Sequence, residues 1–196
     1  MEEKFESLIE GILGQNFGIA PAFFDADLVA GLRKNLLQRH TDGAMHPAGV
    51  GQRFTFQKNL KVRGDLISWI DEKNPDPAER HFLDQIEAFI EYLNRTCYTG
   101  INGYEFHFAF YETGSFYRRH LDQFQQDRGR KFSVVAYLNE DWANEDGGEL
   151  VLYHDDGETI VRPHGGQAVF FKADEIEHEV RPALRDRLSI AGWLLG

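Results

Sequence analysis

Three times in this chain a histidine stands two residues before an aspartate: His40 with Asp42, His120 with Asp122, and His154 with Asp156. On a β-strand, residues at that spacing project from one face, so an imidazole and a carboxylate can ligate the same metal ion. Spacing alone is weak, because a chain with 8 histidines gives roughly one such pair by chance. Context separates the three. "RHTDG" follows a helical pattern and precedes Gly43, where His40 and Asp42 compensate the charge of a helix C-terminus and form a turn. "YHDDG" reads as a hairpin turn that fans His154 and Asp156 into water. His120 and Asp122, in "FYRRHLDQF", lie between two strongly alternating stretches, and this pair is expected to hold the metal.

The third ligand expected is His178, in "IEHEVRP". Two imidazoles and one carboxylate on one face of an ion leave the opposite face open, the arrangement of non-haem Fe(II) oxygenases. A closed zinc site needs a fourth ligand, and with only Cys97 the usual thiolate sets cannot form. Cys97 itself reads as a small buried hydrophobe near a helix end. Nine residues after His178, Arg187 heads "RLSIAGW", where Arg187, Ser189, Ala191 and Trp193 share a strand face. An arginine aimed into an aromatic interior is costly unless its fork is satisfied. An internal acid or an external carboxylate would serve, and beside the triad the external carboxylate is expected.

Two helical stretches and a run of short strands must position these groups. "DADLVAGLRKNLLQRH" sets Leu28, Leu32, Leu36 and Leu37 on one face behind an aspartate cap. "DPAERHFLDQIEAFIEYLNR" places Pro77 in a helix's first turn and Phe82, Ile86, Phe89, Ile90 and Leu93 in an apolar stripe. "GQRFTFQKNLKVRGDLISWID" alternates as a strand or hairpin with a polar loop. From Tyr104 the period changes to two: "YEFHFAFY", "KFSVVAYLN", "GGELVLYH", "ETIVRP", "GQAVFFK", "EHEVRP" and "RLSIAGWL", punctuated by Gly147-Gly148, Asp155-Asp156-Gly157 and Gly165-Gly166. Short strands after a helical first half predict a sandwich or small barrel with helices on one side.

The totals narrow the function classes. At 196 residues the chain fits one domain, 1–196, with a sizeable core, and 16 phenylalanines favour packed sheet faces. The balance of 21 basic and 32 acidic residues, −11 net, opposes a phosphate backbone, so no nucleic acid partner is expected. The basic cluster Arg118, Arg119, Arg128, Arg130 and Lys131 reads either as solvated strand ends or as a positive mouth for an anionic small molecule. No apolar run reaches the roughly 20 residues of a membrane span and no signal peptide is evident, so no membrane and a cytoplasmic location are expected.

His120-x-Asp122, then His178, then Arg187, together with "VRGDLISWID", "INGYEFHFAFYETGSFYRRHLD", "YLNEDW", "GGELVLY" and "HEVRPALRDRLSIAGW", resembles the 2-oxoglutarate- and Fe(II)-dependent dioxygenases. Within them the chain is similar to the prolyl hydroxylase-domain, EGL-nine-like, branch of the prolyl 4-hydroxylases, from about Val62 to Trp193. The resemblance implies a mainly β fold with supporting α: a double-stranded β-helix, or jelly roll, over 104–196, with the helical part of residues 1–60 packed on one sheet.

It further implies Fe(II) on His120, Asp122 and His178, and 2-oxoglutarate held by Arg187 with Tyr137 and Tyr111. Ser189 is expected to contact the same carboxylate, because Ala191 stands where animal members carry a threonine. Trp193 lies near the substrate, and the Asn59–Asp65 loop closes over it with Arg63 and Asp65 orienting the peptide. 2-Oxoglutarate is the implied cosubstrate, used together with dioxygen, and ascorbate is the expected reductant. The implied activity is protein prolyl 4-hydroxylation, with a proline in a protein, a translation factor among the candidates, as target. The alternatives are a dioxygenase of the same superfamily with a non-prolyl substrate, or a catalytically silent jelly-roll interaction module. A nucleic-acid demethylase would carry a second arginine where Trp193 stands.

Overall fold

The computed structural model describes residues 1–49, 62–73, 75–123 and 129–196. Helix α1, Glu2–Gln15, leads into strand β1, Phe17–Ala20. Gly11 and Gly18 let helix and strand touch: a Cβ on Gly11 would stand 2.4 Å from the Gly18 Cα. Helix α2, Ala26–Thr41, starts where the Asp25 carboxylate accepts from the Leu28 amide at 2.8 Å. Helix α3, Pro77–Cys97, starts the same way, with Asp76 accepting from Ala78 and proline in its first turn. Both are N-caps that satisfy amides left without intrahelical partners.

Between α2 and α3 lie β2, His46–Pro47, and β3, Leu66–Trp69. After α3 come β4, Gly103–Tyr111; β5, Tyr117–His120; β6, Arg130–Tyr137; β7, Leu150–His154; β8, Gly157–Val161; β9, Ala168–Lys172; β10, Glu177–Val180; and β11, Arg187–Leu195. They form two antiparallel sheets, β1-β9-β6-β11-β4-β3-β2 and β5-β10-β7-β8. Asp155 and Asp156 make the two-residue β7–β8 turn, as read from the sequence.

The period-two pattern sorts the strand residues between two cores. Phe106, Phe108 and Phe110 of β4, Val134 and Ala136 of β6, Phe170 of β9, and Leu188, Ile190 and Leu194 of β11 face the three helices. Phe89 joins the layers, its ring 5.0 Å from Phe5, 6.3 Å from Phe23 and 5.1 Å from Phe170. Phe89→Ala is expected to cost about 3–5 kcal/mol through the cavity it leaves. The alternate residues Ala109, Tyr111, Tyr137, Val169 and Phe171 pack inward with Leu150, Leu152 and Val180 of the smaller sheet. A large helix-backed sheet facing a smaller one is the expected jelly roll, with the open end of the inner core available for a site.

Several local expectations change. Residues 1–60 include strands β1 and β2 as well as helices, and α1 was not expected at all. Cys97 is exposed at the end of α3, not buried, and Leu37 is 37% exposed, outside its helix's buried stripe. The polar loop before Val62 and Arg128 of the basic cluster lie outside the described residues.

Candidate active site

His120, Asp122 and His178 converge although 58 residues separate the first from the last. Antiparallel pairing of β10 with β5 sets His178 directly opposite His120. Asp122 arrives differently from expectation: β5 ends at His120, and the chain bends so that the carboxylate, not a same-face strand neighbour, turns back between the two imidazoles. Asp122 Oδ1 lies 3.5 Å from His120 Nε2 and Oδ2 lies 3.5 Å from His178 Nε2. The three ligand atoms lie within 4.8 Å of one another. With metal–ligand bonds of roughly 2.1 Å, adjacent vertices of an octahedron stand about 3 Å apart, so small adjustments would bring all three onto one ion.

Neighbouring groups fix the state of each ligand. Nδ1 of His120 lies 2.7 Å from the Arg118 carbonyl and Nδ1 of His178 lies 3.1 Å from the Ile176 carbonyl. A carbonyl only accepts, so each ring carries a proton on Nδ1 and turns Nε2 toward the cluster. His120 Nε2 is buried with no hydrogen-bond partner among the described residues, a cost expected where a metal completes the site. Burial drives the His178 pKa down to about 4, against the pull of the Asp122 carboxylate. Burial opposes ionisation of Asp122 too, but His178, His120 and a 2.7 Å hydrogen bond from the Ser133 hydroxyl outweigh it and hold the carboxyl well below its ordinary range. A neutral His178 beside an ionised Asp122 is the pairing of protonation states that metal binding requires.

The cavity continues past the triad to Arg187, Ser189, Tyr111 and Leu150. Arg187 is only 2% exposed. Its Nε donates to the Gly148 carbonyl at 2.8 Å and its Nη1 to Ser189 Oγ at 3.3 Å. The guanidinium carbon sits 5.0 Å from the Tyr111 ring centre and 5.2 Å from that of Tyr137. Among the described residues no carboxylate lies within 4.0 Å of it, so the internal salt bridge weighed from the sequence is not formed. Among the described residues the buried Tyr137 hydroxyl beside it has no hydrogen-bond partner, and burial pushes its pKa up to about 12, keeping the O–H as a donor. A buried cation and an unpaired donor together fit a small carboxylate.

At the other end, Trp69, His107 and Trp193 form an inner-face row across β3, β4 and β11. Ring centres are 5.0 Å apart for Trp69 and His107 and 5.5 Å for His107 and Trp193. Arg130 lies 3.4 Å over the Trp193 ring and pairs with Glu105 at 2.7 Å. Arg119 pairs with Glu177 and stacks on Tyr153 on the outside, while Lys131 donates to the Thr99 carbonyl. Much of the basic cluster therefore consists of paired strand ends, and the cationic charge within the cavity lies on Arg63, Arg130 and Arg187.

Arg63, which lies over the Tyr117 ring, is joined to Asp65 by hydrogen bonds of 2.7 and 2.5 Å; Asn59 to Lys61 lie outside the described residues. Of the other His-x-Asp pairs, His40 stacks on Phe110 at 4.0 Å and Asp42 caps α2. His154 lies 3.1 Å from the Thr159 hydroxyl at the hairpin end. Sequence reasoning passed over Ser133, Tyr117, His107 and Trp69; for Ser133 the available signal was its place on the inward face of β6.

A family model of the 2OG-Fe(II) oxygenase superfamily matches residues 106–195. A Pseudomonas putida prolyl-4-hydroxylase is 36% identical, with a TM-score of 0.91 over 98% of this chain and 99% of that one. A Trichoplax adhaerens prolyl hydroxylase, solved with a hypoxia inducible factor oxygen degradation domain peptide fragment, is 25% identical, with a TM-score of 0.87 over 99% of this chain and 90% of that one. Human Egl nine homolog 1 is 28% identical over 166 residues, 79% of this chain and 37% of that protein. The chain thus spans well under half the length of this curated relative. No helix among the described residues is long and apolar enough to cross a membrane. With the family model, the His-Asp-His cluster and a 36% identical match over 98% of the chain agreeing, the chain belongs to the 2OG-Fe(II) oxygenase superfamily.

Proposed function

We propose that this protein is a 2-oxoglutarate- and Fe(II)-dependent protein prolyl 4-hydroxylase, with His120, Asp122 and His178 holding the ferrous ion. What supports the reading is the pairing, in one cavity, of that open ligand set with a buried arginine that has no acidic partner among the described residues. Fe(II) bound there, with 2-oxoglutarate and dioxygen, supplies an oxidant by converting the oxo acid to succinate and carbon dioxide while one oxygen atom enters a substrate C–H bond.

The chain's own groups do the positioning. The Arg118 and Ile176 carbonyls hold the imidazole protons on Nδ1, so both Nε2 atoms face the ion. Ser133 keeps one Asp122 oxygen oriented. Two neutral imidazoles and one carboxylate leave a divalent ion with net positive charge, which favours a dianionic cosubstrate. Arg187 receives the far carboxylate, the Tyr137 hydroxyl and Ser189 Oγ lie beside it, and Tyr111 walls the guanidinium. The apolar lining from Ala109, Leu150 and Val180 excludes water around that contact.

For the substrate, Trp193 and Trp69 offer aromatic walls suited to a saturated prolyl ring. The prolyl hydroxylase relatives support a proline in a protein as the target. The test is incubation of cell-extract proteins with enzyme, Fe(II), 2-oxoglutarate and dioxygen, with ascorbate as reductant, followed by mass spectrometry. One added oxygen on proline in a defined protein, with stoichiometric succinate, is the expected result. Succinate formation with oxygen on another residue type would transfer the reading to a non-prolyl substrate, and no turnover at all would point to a silent jelly-roll module.

A further inference from the structure

Arg63 and Asp65 are the residues from which the sequence suggested peptide contacts, yet their side chains are engaged with each other. The Asp65 side chain is fully buried, and both its oxygens are taken by Arg63, through Nε at 2.7 Å and Nη2 at 2.5 Å. A carboxylate so engaged offers a ligand little. The Arg63 side chain is 11% exposed, and its guanidinium carbon lies over Tyr117, 4.1 Å from the ring centre. On its other side the Tyr117 ring is stacked on the His120 imidazole, centres 3.6 Å apart at 17°. Arg63, Tyr117 and His120 therefore make a continuous stack ending on a ligand of the proposed metal site.

The backbone ties the same elements together. The Gly64 amide donates to the Phe116 carbonyl at 3.0 Å and the Arg118 amide to the Val62 carbonyl at 2.9 Å. Arg63 and Tyr117 form an antiparallel bridge between them, so residues 62–64 add an edge to β5, the strand that delivers His120. The far end of the pair is anchored as well, because the Asp65 carbonyl accepts from the Ala48 amide at 2.9 Å. His120 is half-buried beside the cavity, with one ring nitrogen held by the Arg118 carbonyl. That bond restrains one edge of the ring, and Tyr117, stacked on a face of it, adds a second restraint on rotation about the Cβ–ring axis.

From this geometry we infer that Arg63 and Asp65 are positioning residues for the metal: their ion pair clamps Tyr117 against His120 and fixes the imidazole plane for coordination. The inference rests on the metal site proposed above and deepens it. Groups that orient a metal ligand cost roughly 10–100-fold in metal affinity when removed. Metal binding is read without turnover, by titrating Mn(II) into metal-free protein with calorimetry; 2-oxoglutarate affinity is then measured at saturating Mn(II).

Tyr117→Leu removes the stack, and Arg63→Met with Asp65→Leu in one chain removes the clamp without leaving a buried unpaired charge. Both are expected to weaken Mn(II) binding about tenfold or more, with 2-oxoglutarate affinity at saturating metal unchanged. Tyr117→Phe keeps the ring and is expected to keep parental Mn(II) affinity, which a general folding defect would not spare selectively. The inference is overturned if the double variant binds Mn(II) like the parent, and doubly so if its only change is a higher KM for peptide, the signature of direct substrate contact. A parent protein that binds no Mn(II) at all would instead remove the metal site itself.

Discussion

Replacing Arg187 with methionine separates cosubstrate anchoring from metal binding and from folding. The guanidinium is buried, donates to Gly148 and Ser189, and has no carboxylate partner among the described residues. A bidentate contact to the far carboxylate of 2-oxoglutarate supplies two charge-assisted hydrogen bonds, about 3–4 kcal/mol together. Their loss raises the Kd for 2-oxoglutarate roughly 10²–10³-fold. At a concentration 100 times the parental Kd, 2-oxoglutarate stabilises the Mn(II)-loaded parent by about 2.7 kcal/mol. For a domain of this size that is roughly 5–11 °C in Tm. In the variant the same concentration is near or below Kd, giving at most about 0.4 kcal/mol and a shift of about 1 °C.

The ligand-free variant is informative in its own right. Methionine removes a buried cation that no acid neutralises, at the cost of two hydrogen bonds, so its Tm is expected to match or exceed the parent's. Differential scanning fluorimetry with Mn(II), with and without 2-oxoglutarate, checks both numbers. Equal ligand-induced shifts in parent and variant would refute the anchor. A ligand-free loss of about 3–5 kcal/mol, as when one partner of a buried ion pair is removed, would show that the arginine serves the fold and not a ligand.

Three further perturbations follow from individual contacts. Burial, with repulsion from Arg63, holds the His107 pKa down at about 3 despite Asp65 and Asp122. The folded pKa thus lies below the unfolded value of about 6.5, so unfolded chains bind the extra proton and stability falls as pH drops from 6.5 toward 3. Between pH 7 and 5 the parent should lose about 2 kcal/mol more than His107→Leu; parallel urea-melt profiles for the two would contradict this. Ser133→Ala removes the 2.7 Å hydrogen bond to Asp122 and should weaken Mn(II) binding about tenfold, with no change in calorimetric Kd as the contrary result. Gly148 has φ +68, and a Cβ there would stand 2.9 Å from Ala183 Cβ and 3.2 Å from Arg187 Cδ. Gly148→Ala should therefore cost about 1–3 kcal/mol in urea unfolding and weaken 2-oxoglutarate binding, while leaving Mn(II) affinity intact.

What could be read along the chain was whatever repeats within a few residues. The alternation of Phe106, Phe108 and Phe110 and the capped stripes of α2 and α3 reflect one-sided burial, which periodicity reports directly. Arg187 was legible for the same reason: a charge on the inward phase of an apolar strand has to be satisfied by something. Helix α1 escaped because, although Phe5, Leu8, Ile9 and Ile12 follow helical spacing, Gly11 and Gly14 dilute the signal and Met1 supplies no side-chain cap. Strand β5 escaped because "YRRH" is four residues long and mostly polar, held by pairing with β10. Asp122 joins the cluster through a bend after that strand and not through strand alternation, so the structure gathers the three side chains by a different route from the one the spacing suggested. Ser133 reaches Asp122 from another strand, so beyond its inward phase on β6 nothing local tied it to that carboxylate; Tyr117 is only three residues from His120, but regular strand alternation sets residues three apart on opposite faces and so hid their stacking.

The most direct test is a crystal structure of the protein grown with Mn(II) and 2-oxoglutarate under conditions that prevent turnover. The expected result is one ion within about 2.1–2.2 Å of His120 Nε2, an Asp122 oxygen and His178 Nε2, chelated by the oxo-acid end of 2-oxoglutarate while the far carboxylate meets the Arg187 guanidinium. An ion bound without one of those three side chains, or a cosubstrate carboxylate lying away from Arg187, would contradict the account.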